Sequence, residues 1–316
     1  MRVCLMIEGQ EDVTWDQWCA LALAAEENGF EALFRSDHYL SVEARTERGS
    51  LDAWTTLAGL AAITSRIRLG TLVSPATFRH PSVLAKSAVT VDHISGGRVE
   101  IGLGAGWNEL EHRTYGFEFF DRMGTRMTVM EEQAEILARS LEDETFSFSG
   151  QHYTVENLNA LPKAVQNPRP PIVMGGAGGP RGMAIAARWA DEYNTVFVGP
   201  EEAGARREKW AQAWSDAGRD PGALVFSVMS AVLVGADEAD LRARAERLAE
   251  RRGVDVDSML PGLRSSGVVG TIDEAAERLR EYEAAGVQRF MLQHLLHDDV
   301  EEVELIGREL IPRVST

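Results

Sequence analysis

The feature that most constrains the fold of this chain is a regular alternation of short apolar runs with longer helical patterns. The apolar runs have the length of strands, and the segments between them carry the three- and four-residue spacing of amphipathic helices. Eight such pairs follow one another, and repeated βα units in this number predict a closed parallel barrel. The predicted strands are 3–7, 32–35, 67–73, 99–103, 172–174, 194–198, 225–234 and 289–292. The predicted helices are 15–28, 53–63, 82–94, 127–141, 181–189, 202–217, 238–251 and 300–310.

An open, doubly wound parallel sheet is the alternative architecture, since about six to eight βα units can also form one. Its dinucleotide-binding form carries a G-x-G-x-x-G fingerprint directly after the first strand. Here the first predicted strand is followed by EGQEDVTW, which contains no such fingerprint. The sequence therefore favours a single α/β domain over residues 1–316, a (β/α)8 TIM barrel.

Three segments interrupt the repeat and are predicted to be insertions. Residues 39–51 are a polar, charged loop, residues 146–171 read as a small hairpin with a proline-rich connector, and residues 253–271 precede a helix at 272–285. Long loops in compact domains usually have a function. The ligand site of a barrel is built from the loops at the carboxyl ends of its strands, so these segments are expected to wall the mouth.

The charge of the chain limits the partners that it can have. Its 316 residues include 32 Lys plus Arg and 49 Asp plus Glu, a formal net charge of -17. Such a charge repels nucleic acids and anionic lipid surfaces, so neither is expected as a partner. No stretch approaches the roughly 20 apolar residues of a membrane span. The amino terminus, MRVCLMIEG, lacks a secretory signal, so a cytoplasmic location is expected, with Cys4 and Cys19 as reduced core thiols.

One predicted strand ends in a run of glycines. The stretch RVEIGLGAGWN, residues 98–108, places Gly102, Gly104 and Gly106 at its carboxyl end. Glycine weakens the interior of a strand and is usually explained there by a bulge or a close neighbour. Three glycines at a strand end suggest a flat ligand lying on the main chain, with a tight turn alone as the alternative.

Polar residues follow the second predicted strand. Ser36, Asp37 and His38 stand at its carboxyl end, where barrel enzymes assemble their active sites. An imidazole titrates near neutrality, so His38 is a candidate for proton transfer. Asp37 is expected to bind backbone or ligand donors, or else to cap a helix or tether the loop.

A second glycine cluster, IVMGGAGGPRG, follows the fifth predicted strand and leads into a helix. Its backbone N–H groups and the positive end of the helix dipole favour an anion, and Arg181 adds a cation. This pattern predicts a phosphate cradle, with a tight βα turn at Pro180 as the alternative. A metal site is not expected, because His294 and His297 supply only two of the ligands that it needs.

Four blocks of the sequence resemble one known family. They are SDH at 36–38, IRLGTLVSPATFRHPSVLAKSAVTVDHISGGRVEIGLGAGWNELEH at 67–112, PPIVMGGAGGPRGMAIAARWADEYN at 170–194 and, more weakly, GTIDEAAERLREYEAAGVQRFML at 270–292. Together they resemble the luciferase-like monooxygenase superfamily, most closely its actinobacterial branch that binds the deazaflavin coenzyme F420. The resemblance covers essentially the full chain. It implies a (β/α)8 barrel with insertions that holds a cofactor ring at the carboxyl-terminal mouth.

The resemblance also implies roles for particular residues. Asp37 and His38 match the pair that contacts the ring and the reacting centre. Leu72 and Val73 match residues that form a non-proline cis peptide bond behind the ring in many relatives. Further ring contacts are implied for the residues that end the fourth strand, namely Gly104, Ala105, Gly106, Trp107 and Asn108. The phosphate-binding loop of the family matches the residues after the fifth strand, namely Gly176, Ala177, Gly178, Gly179 and Arg181.

One position departs from part of the family. Sugar-phosphate dehydrogenases of the superfamily carry a glutamate acid after the G-x-G of the fourth strand, where this chain has Trp107. A sugar phosphate is therefore a disfavoured substrate. Glu109 and Glu111 are close in sequence, but a helix starting at Asn108 can point either of them to solvent. His38 is accordingly the best candidate for proton transfer.

The resemblance implies an enzyme that moves a hydride between C5 of coenzyme F420 and a small organic substrate. The protein would supply position, electrostatics and a proton. An FMN-dependent monooxygenase, which uses oxygen and takes reduced flavin from a partner reductase, is the alternative. A further alternative is a protein that binds a flavin or deazaflavin without turnover. The family resemblance also suggests a homodimer.

Overall fold

Eight parallel strands close into a barrel in the computed structural model, which describes residues 1–43, 45, 47–142 and 144–314. Each strand pairs with its neighbours in chain order, and the last pairs with the first, as in the register Met6 opposite Gln293. The predicted (β/α)8 barrel is thus confirmed, and the open sheet is wrong because no strand of the ring is left at an edge. The strands are β1 (Arg2–Ile7), β2 (Ala32–Arg35), β3 (Arg68–Thr71), β4 (Val99–Gly104), β5 (Ile172–Gly175), β6 (Glu192–Val196), β7 (Val225–Gly235) and β8 (Arg289–His294).

Helices between the strands form the outer layer, and local sequence sets many of their ends. Thr14 and Gln17 form a capping box at the start of the first helix, and Gly96 ends the third helix at a φ of 68°. The helices that follow the strands are Trp15–Glu27, Ala53–Ile63, Pro81–Ser95, Met123–Glu142, Pro180–Trp189, Pro200–Asp216, Glu238–Arg252 and Val300–Leu305, the last continuing through Ile306–Leu310 to Val314. The chain forms four further helical segments, which are Glu109–Tyr115, Pro221–Ala223, Val256–Ser266 and Ile272–Ala284.

The barrel strands are buried on both sides, so their side chains alternate between the interior and the layer beneath the helices. On β1, Cys4 and Met6 belong to the interior cluster, whereas Val3, Leu5 and Ile7 belong to the outer one. The interior apolar cluster consists of Cys4, Met6, Ala32, Phe34, Leu72, Val173, Met229 and Met291.

Charged residues close the amino-terminal end of the barrel interior. Arg289, at the start of β8, is 2% exposed and donates two hydrogen bonds to Glu100 of β4, at 2.7 and 2.9 Å. The same guanidinium donates to Glu192 of β6 at 2.9 Å and to Glu31 at 2.7 Å, and it lies over the ring of Phe34. One arginine thus neutralises carboxylates that come from several parts of the sheet.

The three insertions take different forms. Residues 39–51, of which Ala44 and Thr46 lie outside the described part, form a loop without strands or helices among those described. Residues 146–171 contain the predicted hairpin, with strands Phe146–Ser149 and Thr154–Leu158. Residues 253–271 contain a helix and a strand, Val268–Thr271, that pairs with the carboxyl half of β7.

Two further predictions concern the chain as a whole. Cys4 is buried, as predicted, whereas Cys19 is only half-buried, so the expectation of a core thiol is wrong for Cys19. Among the described residues, no helix combines the length and the apolar character that a membrane span requires.

Candidate active site

A short helix after β4 decides which glutamate faces the barrel mouth. Asn108 caps helix Glu109–Tyr115, and its side-chain oxygen accepts the backbone N–H of Glu111 at 3.3 Å. Glu109 lies on the exposed side, whereas Glu111 is completely buried. The sequence left open which of the two glutamates points to solvent. The direction of this helix exposes Glu109 and buries Glu111.

His38 is held by Glu111. Its Nδ1 lies 2.7 Å from Oε2 of Glu111, whose other oxygen accepts the backbone N–H groups of Tyr39 and Leu40. Burial lowers the pKa of His38, but the hydrogen bond and the charge of Glu111, with a contribution from Glu8, outweigh it and raise the pKa above 6.5. Because Nδ1 is committed to Glu111, Nε2 is the nitrogen left to exchange a proton with a bound molecule.

The replacement Glu111→Gln is expected to lower the pKa of His38, because the carboxylate that outweighs the effect of burial is lost. A raised pKa in the folded state stabilises the protein below the unfolded value of 6.5 and ceases to do so as the pH rises through the folded pKa. The replacement should therefore cost more stability near pH 6, about 1.5 to 3 kcal/mol for a hydrogen bond between charged groups, than near pH 9. Urea denaturation at the two pH values, with NMR titration of the imidazole, measures both effects.

The control for that experiment is Glu109→Gln, which removes an exposed carboxylate from the same short helix. Glu109 pairs with Arg113, and both side chains are more than half exposed. This control should leave the titration of His38 unchanged. An equal loss of stability near pH 6 and near pH 9 for Glu111→Gln would contradict the coupling.

Asp37 is occupied by partners from its own chain. Its two carboxylate oxygens accept from Arg79 at 2.6 and 3.1 Å, and Oδ2 also accepts from Ser74 at 2.6 Å. Arg79 reaches Asp52 as well, at 2.9 Å. This arrangement matches the loop-tethering alternative, and a contact between Asp37 and a cofactor ring stays a prediction.

The peptide bond between Leu72 and Val73 is cis, as the resemblance implies. The third strand ends at Thr71, before this bond, and a two-residue strand, Ser74–Pro75, follows the bond and pairs with the end of β4. Leu72 packs inside the barrel, and Val73 faces the neighbouring strand ends. A Cβ atom at Gly104 would lie 2.6 Å from the Val73 side chain, and one at Gly175 would lie 3.7 Å from it.

The glycine run that ends β4 is packed against the protein's own chain. A Cβ atom at Gly102 would lie 2.0 Å from the carbonyl oxygen of Thr71, and one at Gly106 would lie 2.6 Å from Oγ1 of Thr77. A side chain has no room there, so tertiary packing alone requires glycine. The flat ligand inferred from the run is therefore not needed to explain it, and contacts with a cofactor ring stay a prediction.

The chain emerges from the barrel after β4. Trp107 is 62% exposed, and its ring lies edge-on to His38, with 5.7 Å between the ring centroids. An exposed indole beside the candidate proton donor offers an apolar wall to a bound molecule. Burial falls along the candidate ring contacts, from buried Gly104 through half-buried Ala105 and Gly106 to exposed Trp107.

The loop after β5 is accessible and can hold an anion. Helix Pro180–Trp189 begins without a side-chain cap, so no capping side chain satisfies its first N–H groups. Gly178 donates its backbone N–H to the hydroxyl of Tyr193 at 3.1 Å. The exposed residues of this loop are Gly176, Ala177 and Gly179, of which Gly176 already donates its backbone N–H to the carbonyl oxygen of Asn194 at 3.1 Å.

Arg181 is bound to a neighbouring helix in this structure. Its guanidinium donates to Oγ1 of Thr128 at 2.8 Å and to Glu131 at 3.3 Å. Both partners belong to helix Met123–Glu142. The phosphate contact that the resemblance implies for Arg181 requires it to leave these partners, and it stays a prediction.

A cavity of about 240 Å³ lies at the carboxyl ends of β1, β7 and β8. Glu8, Phe197 and Gln293 contribute to its wall. The insertions at 39–51 and 253–271 also line the cavity, as expected, but no described residue of the insertion at 146–171 does. That insertion packs along helix Pro81–Ser95 instead, where Asp92 accepts two of its backbone N–H groups.

Several residues of the site were not predicted from the sequence. Arg79 stands 42 positions from its partner Asp37, and Tyr193 stands 15 from Gly178. The side chain of Arg206 also lies beside Gly178. The only sequence signal for Arg79 is that it stands within the longest block of family resemblance.

Comparison with known proteins gives relatives whose descriptions name two different activities. The chain is 33% identical over 216 residues to the pyrimidine monooxygenase RutA of Bradyrhizobium sp., which is 67% of this chain and 57% of that protein. It is 32% identical over 207 residues to a Mycobacterium tuberculosis protein described as "Putative coenzyme F420-dependent oxidoreductase", which is 63% of this chain and 54% of that protein. The chain thus spans somewhat more than half the length of these relatives.

Structural comparison supports the same fold. An F420-dependent secondary alcohol dehydrogenase, solved with an F420-acetone adduct, superposes with a TM-score of 0.85 at 19% identity, over 100% of this chain and 99% of that one. A family model described as luciferase-like monooxygenase matches residues 3–289. Since that match runs from the second residue of β1 to the first residue of β8 and covers most of the chain, the chain belongs to the luciferase-like monooxygenase family.

Proposed function

We propose that this chain is a coenzyme F420-dependent oxidoreductase that transfers a hydride between C5 of the deazaflavin and a carbon of a small organic substrate. The observation that carries the proposal is the pairing of His38 with buried Glu111 at the barrel mouth, 2.7 Å apart. Exchange between an alcohol and a carbonyl compound moves one proton with each hydride, and this pair provides a group that can hold it.

The residues at the mouth fit the cofactor. Exposed backbone at Ala177 and the uncapped start of helix Pro180–Trp189 suit a phosphate. Val73 and Trp107 offer apolar surface for a ring. When bound, the deazaflavin gives or takes the hydride. In the oxidative direction, Nε2 of His38 would accept the O–H proton of the alcohol while the bound deazaflavin would accept the hydride from its C–H bond.

The similar proteins support the proposal without deciding it. The superposed alcohol dehydrogenase uses F420, and the description of the Mycobacterium tuberculosis relative names the same coenzyme. The RutA relative favours a second candidate, an FMN-dependent monooxygenase that takes reduced flavin from a partner reductase. Oxygen consumption coupled to product formation would identify this second function.

The test is a fluorescence titration of the purified apoprotein with F420 and with FMN, each oxidised and reduced. F420 is expected to bind at least about tenfold more tightly than FMN, a difference of 1.4 kcal/mol. The variant Ala177→Glu should weaken F420 binding, because it places a negative charge in the phosphate loop. Its control, Ala223→Glu, adds the same exposed charge at the opposite end of the barrel, just before β7, and should not.

Other outcomes of the titration have definite meanings. Preference for reduced FMN would replace the proposal by the monooxygenase, and binding of neither cofactor would overturn both. Tight F420 binding without turnover across a panel of alcohols and carbonyl compounds would favour the non-catalytic binding protein.

Two expectations accompany the proposal. A homodimer follows from the family resemblance, and a single domain over residues 1–316 follows from the βα repeat, which extends along nearly the whole chain. Light scattering on the purified chain tests the dimer.

A further inference from the structure

The cavity at the barrel mouth is lined by an arginine without a carboxylate partner. Arg251 is half-buried at the end of helix Glu238–Arg252 and forms part of the cavity wall. It donates to the carbonyl oxygen of Glu11 at 2.8 Å and lies 3.3 Å from Nδ1 of His297. No ion pair joins it to any carboxylate in the part of the chain that the structure describes.

The acidic neighbours of Arg251 are already paired with other arginines. Arg48 binds both Glu11 and Glu43, and Arg252 lies 3.3 Å from Glu43. The cavity wall holds a third carboxylate, Glu8, but side-chain amides bind it. Of the three guanidinium groups in the wall, Arg251 is therefore the one whose charge no ion pair offsets among the described residues.

His297 does not offset the positive charge of Arg251. It is 3% exposed, and burial together with the charge of Arg251 lowers its pKa well below 6.5. A neutral imidazole accepts a hydrogen bond from Arg251 but supplies no charge. Asp298, the remaining acidic neighbour, lies 3.0 Å from Arg247.

The cavity lies beside the strand end that carries the proton-transfer site. Glu8, which follows β1, lines the cavity, and β1 pairs with β2, the strand that precedes His38. The two oxygens of Glu8 accept from the side-chain amides of Gln10 at 2.6 Å and Gln293 at 2.8 Å, and its charge contributes to the raised pKa of His38. A molecule bound to Arg251 can therefore be oriented towards the strand end that carries His38.

We propose that the substrate is an organic acid whose carboxylate binds Arg251 while its reacting carbon lies towards His38. The proposal rests on the oxidoreductase function proposed above, and it names the substrate class. A substrate carboxylate would supply the ion-pair partner that Arg251 lacks among the described residues. Arginine binds carboxylates through two parallel, charge-assisted hydrogen bonds, so Arg251 would fix the orientation of the substrate as well as hold it.

The test is calorimetric titration of the cofactor-free protein with pentanoate and pentanamide, which differ in charge but hardly in shape. Pentanoate is expected to bind at least about tenfold more tightly, the lower limit for hydrogen bonds to charged groups. Arg251→Gln should abolish this preference, and Arg251→Lys should retain part of it. The control Arg242→Gln, on the same helix, removes an exposed arginine that pairs with Glu246 and Asp257 outside the cavity, and it should change nothing.

Each other result overturns a definite part of the proposal. Equal binding of the two probes to the wild-type protein excludes a carboxylate subsite, and unchanged pentanoate binding by Arg251→Gln removes Arg251 from it. Tighter binding of methyl phosphate than of pentanoate would replace the organic acid by a phosphate ester. Because these titrations contain no cofactor, failure of the F420 titration would refute the proposed function independently of them.

Discussion

Replacing His38 by alanine is expected to lower kcat by about 10² to 10⁴-fold, the usual contribution of a positioned general acid or base. Affinity for F420 should change little, because the proposed role of His38 lies in proton transfer to the substrate. Steady-state kinetics, together with fluorescence titration of the coenzyme, separate the two effects. The expectation follows from the contact between Nδ1 of His38 and buried Glu111, which leaves Nε2 for the substrate.

The control is His93→Ala, which removes an exposed histidine at the end of helix Pro81–Ser95. It should leave kcat unchanged. In alcohol oxidation His38 must be neutral to accept the proton, so activity should fall as the pH drops through its raised pKa, above 6.5. Turnover that survives in His38→Ala would remove this residue from the mechanism.

Replacing Arg289 by methionine is expected to destabilise the fold by about 3 to 5 kcal/mol, the usual cost of leaving buried charges without their partner. Arg289 is 2% exposed and neutralises Glu100 and Glu192, which are also buried. Its charge and hydrogen bonds outweigh the effect of burial and lower the pKa of Glu100 to about 2. Urea denaturation near pH 7 measures the loss.

The pH dependence distinguishes lost charge compensation from lost packing. Without Arg289, the pKa of Glu192, which burial already raises above 4.5, should rise further, so the folded variant would bind protons more readily than its unfolded chain. The deficit should therefore shrink as the pH falls from about 7 to 5. The control Arg313→Met breaks a surface pair with Asp273 and should cost no more than about 1 kcal/mol. A loss of that small size for Arg289→Met would contradict the account.

Local sequence patterns predicted the barrel but not its interior. The helices at 53–63 and 238–251 were placed to within one residue, because periodicity and capping act between residues that are neighbours along one helix. The third strand was predicted over 67–73, whereas the observed strand is Arg68–Thr71, and Leu72 and Val73 form the cis peptide bond beyond its end. Apolar periodicity does not show where hydrogen bonding between strands stops.

The parts of the candidate site that depend on local sequence were predicted, and the parts that depend on tertiary packing were not. His38 and the two glycine clusters follow apolar runs, and carboxyl ends of strands can be located from the sequence. Glu111 was named but not assigned, because its direction depends on where the capped helix after β4 lies. Arg251 was not singled out, because nothing in the helical pattern around it shows which carboxylates its neighbours already bind.

By itself, the sequence determined the alternation of strands and helices, the eight-fold count and the family of this protein. Only the tertiary structure decided that Glu111 holds His38 across 73 positions, and that Glu100 and Glu192 share Arg289. The physical reason is the range of the interactions. Backbone hydrogen bonds and apolar periodicity act along one element, whereas the pairing of buried charges depends on how the closed barrel brings separate strands together.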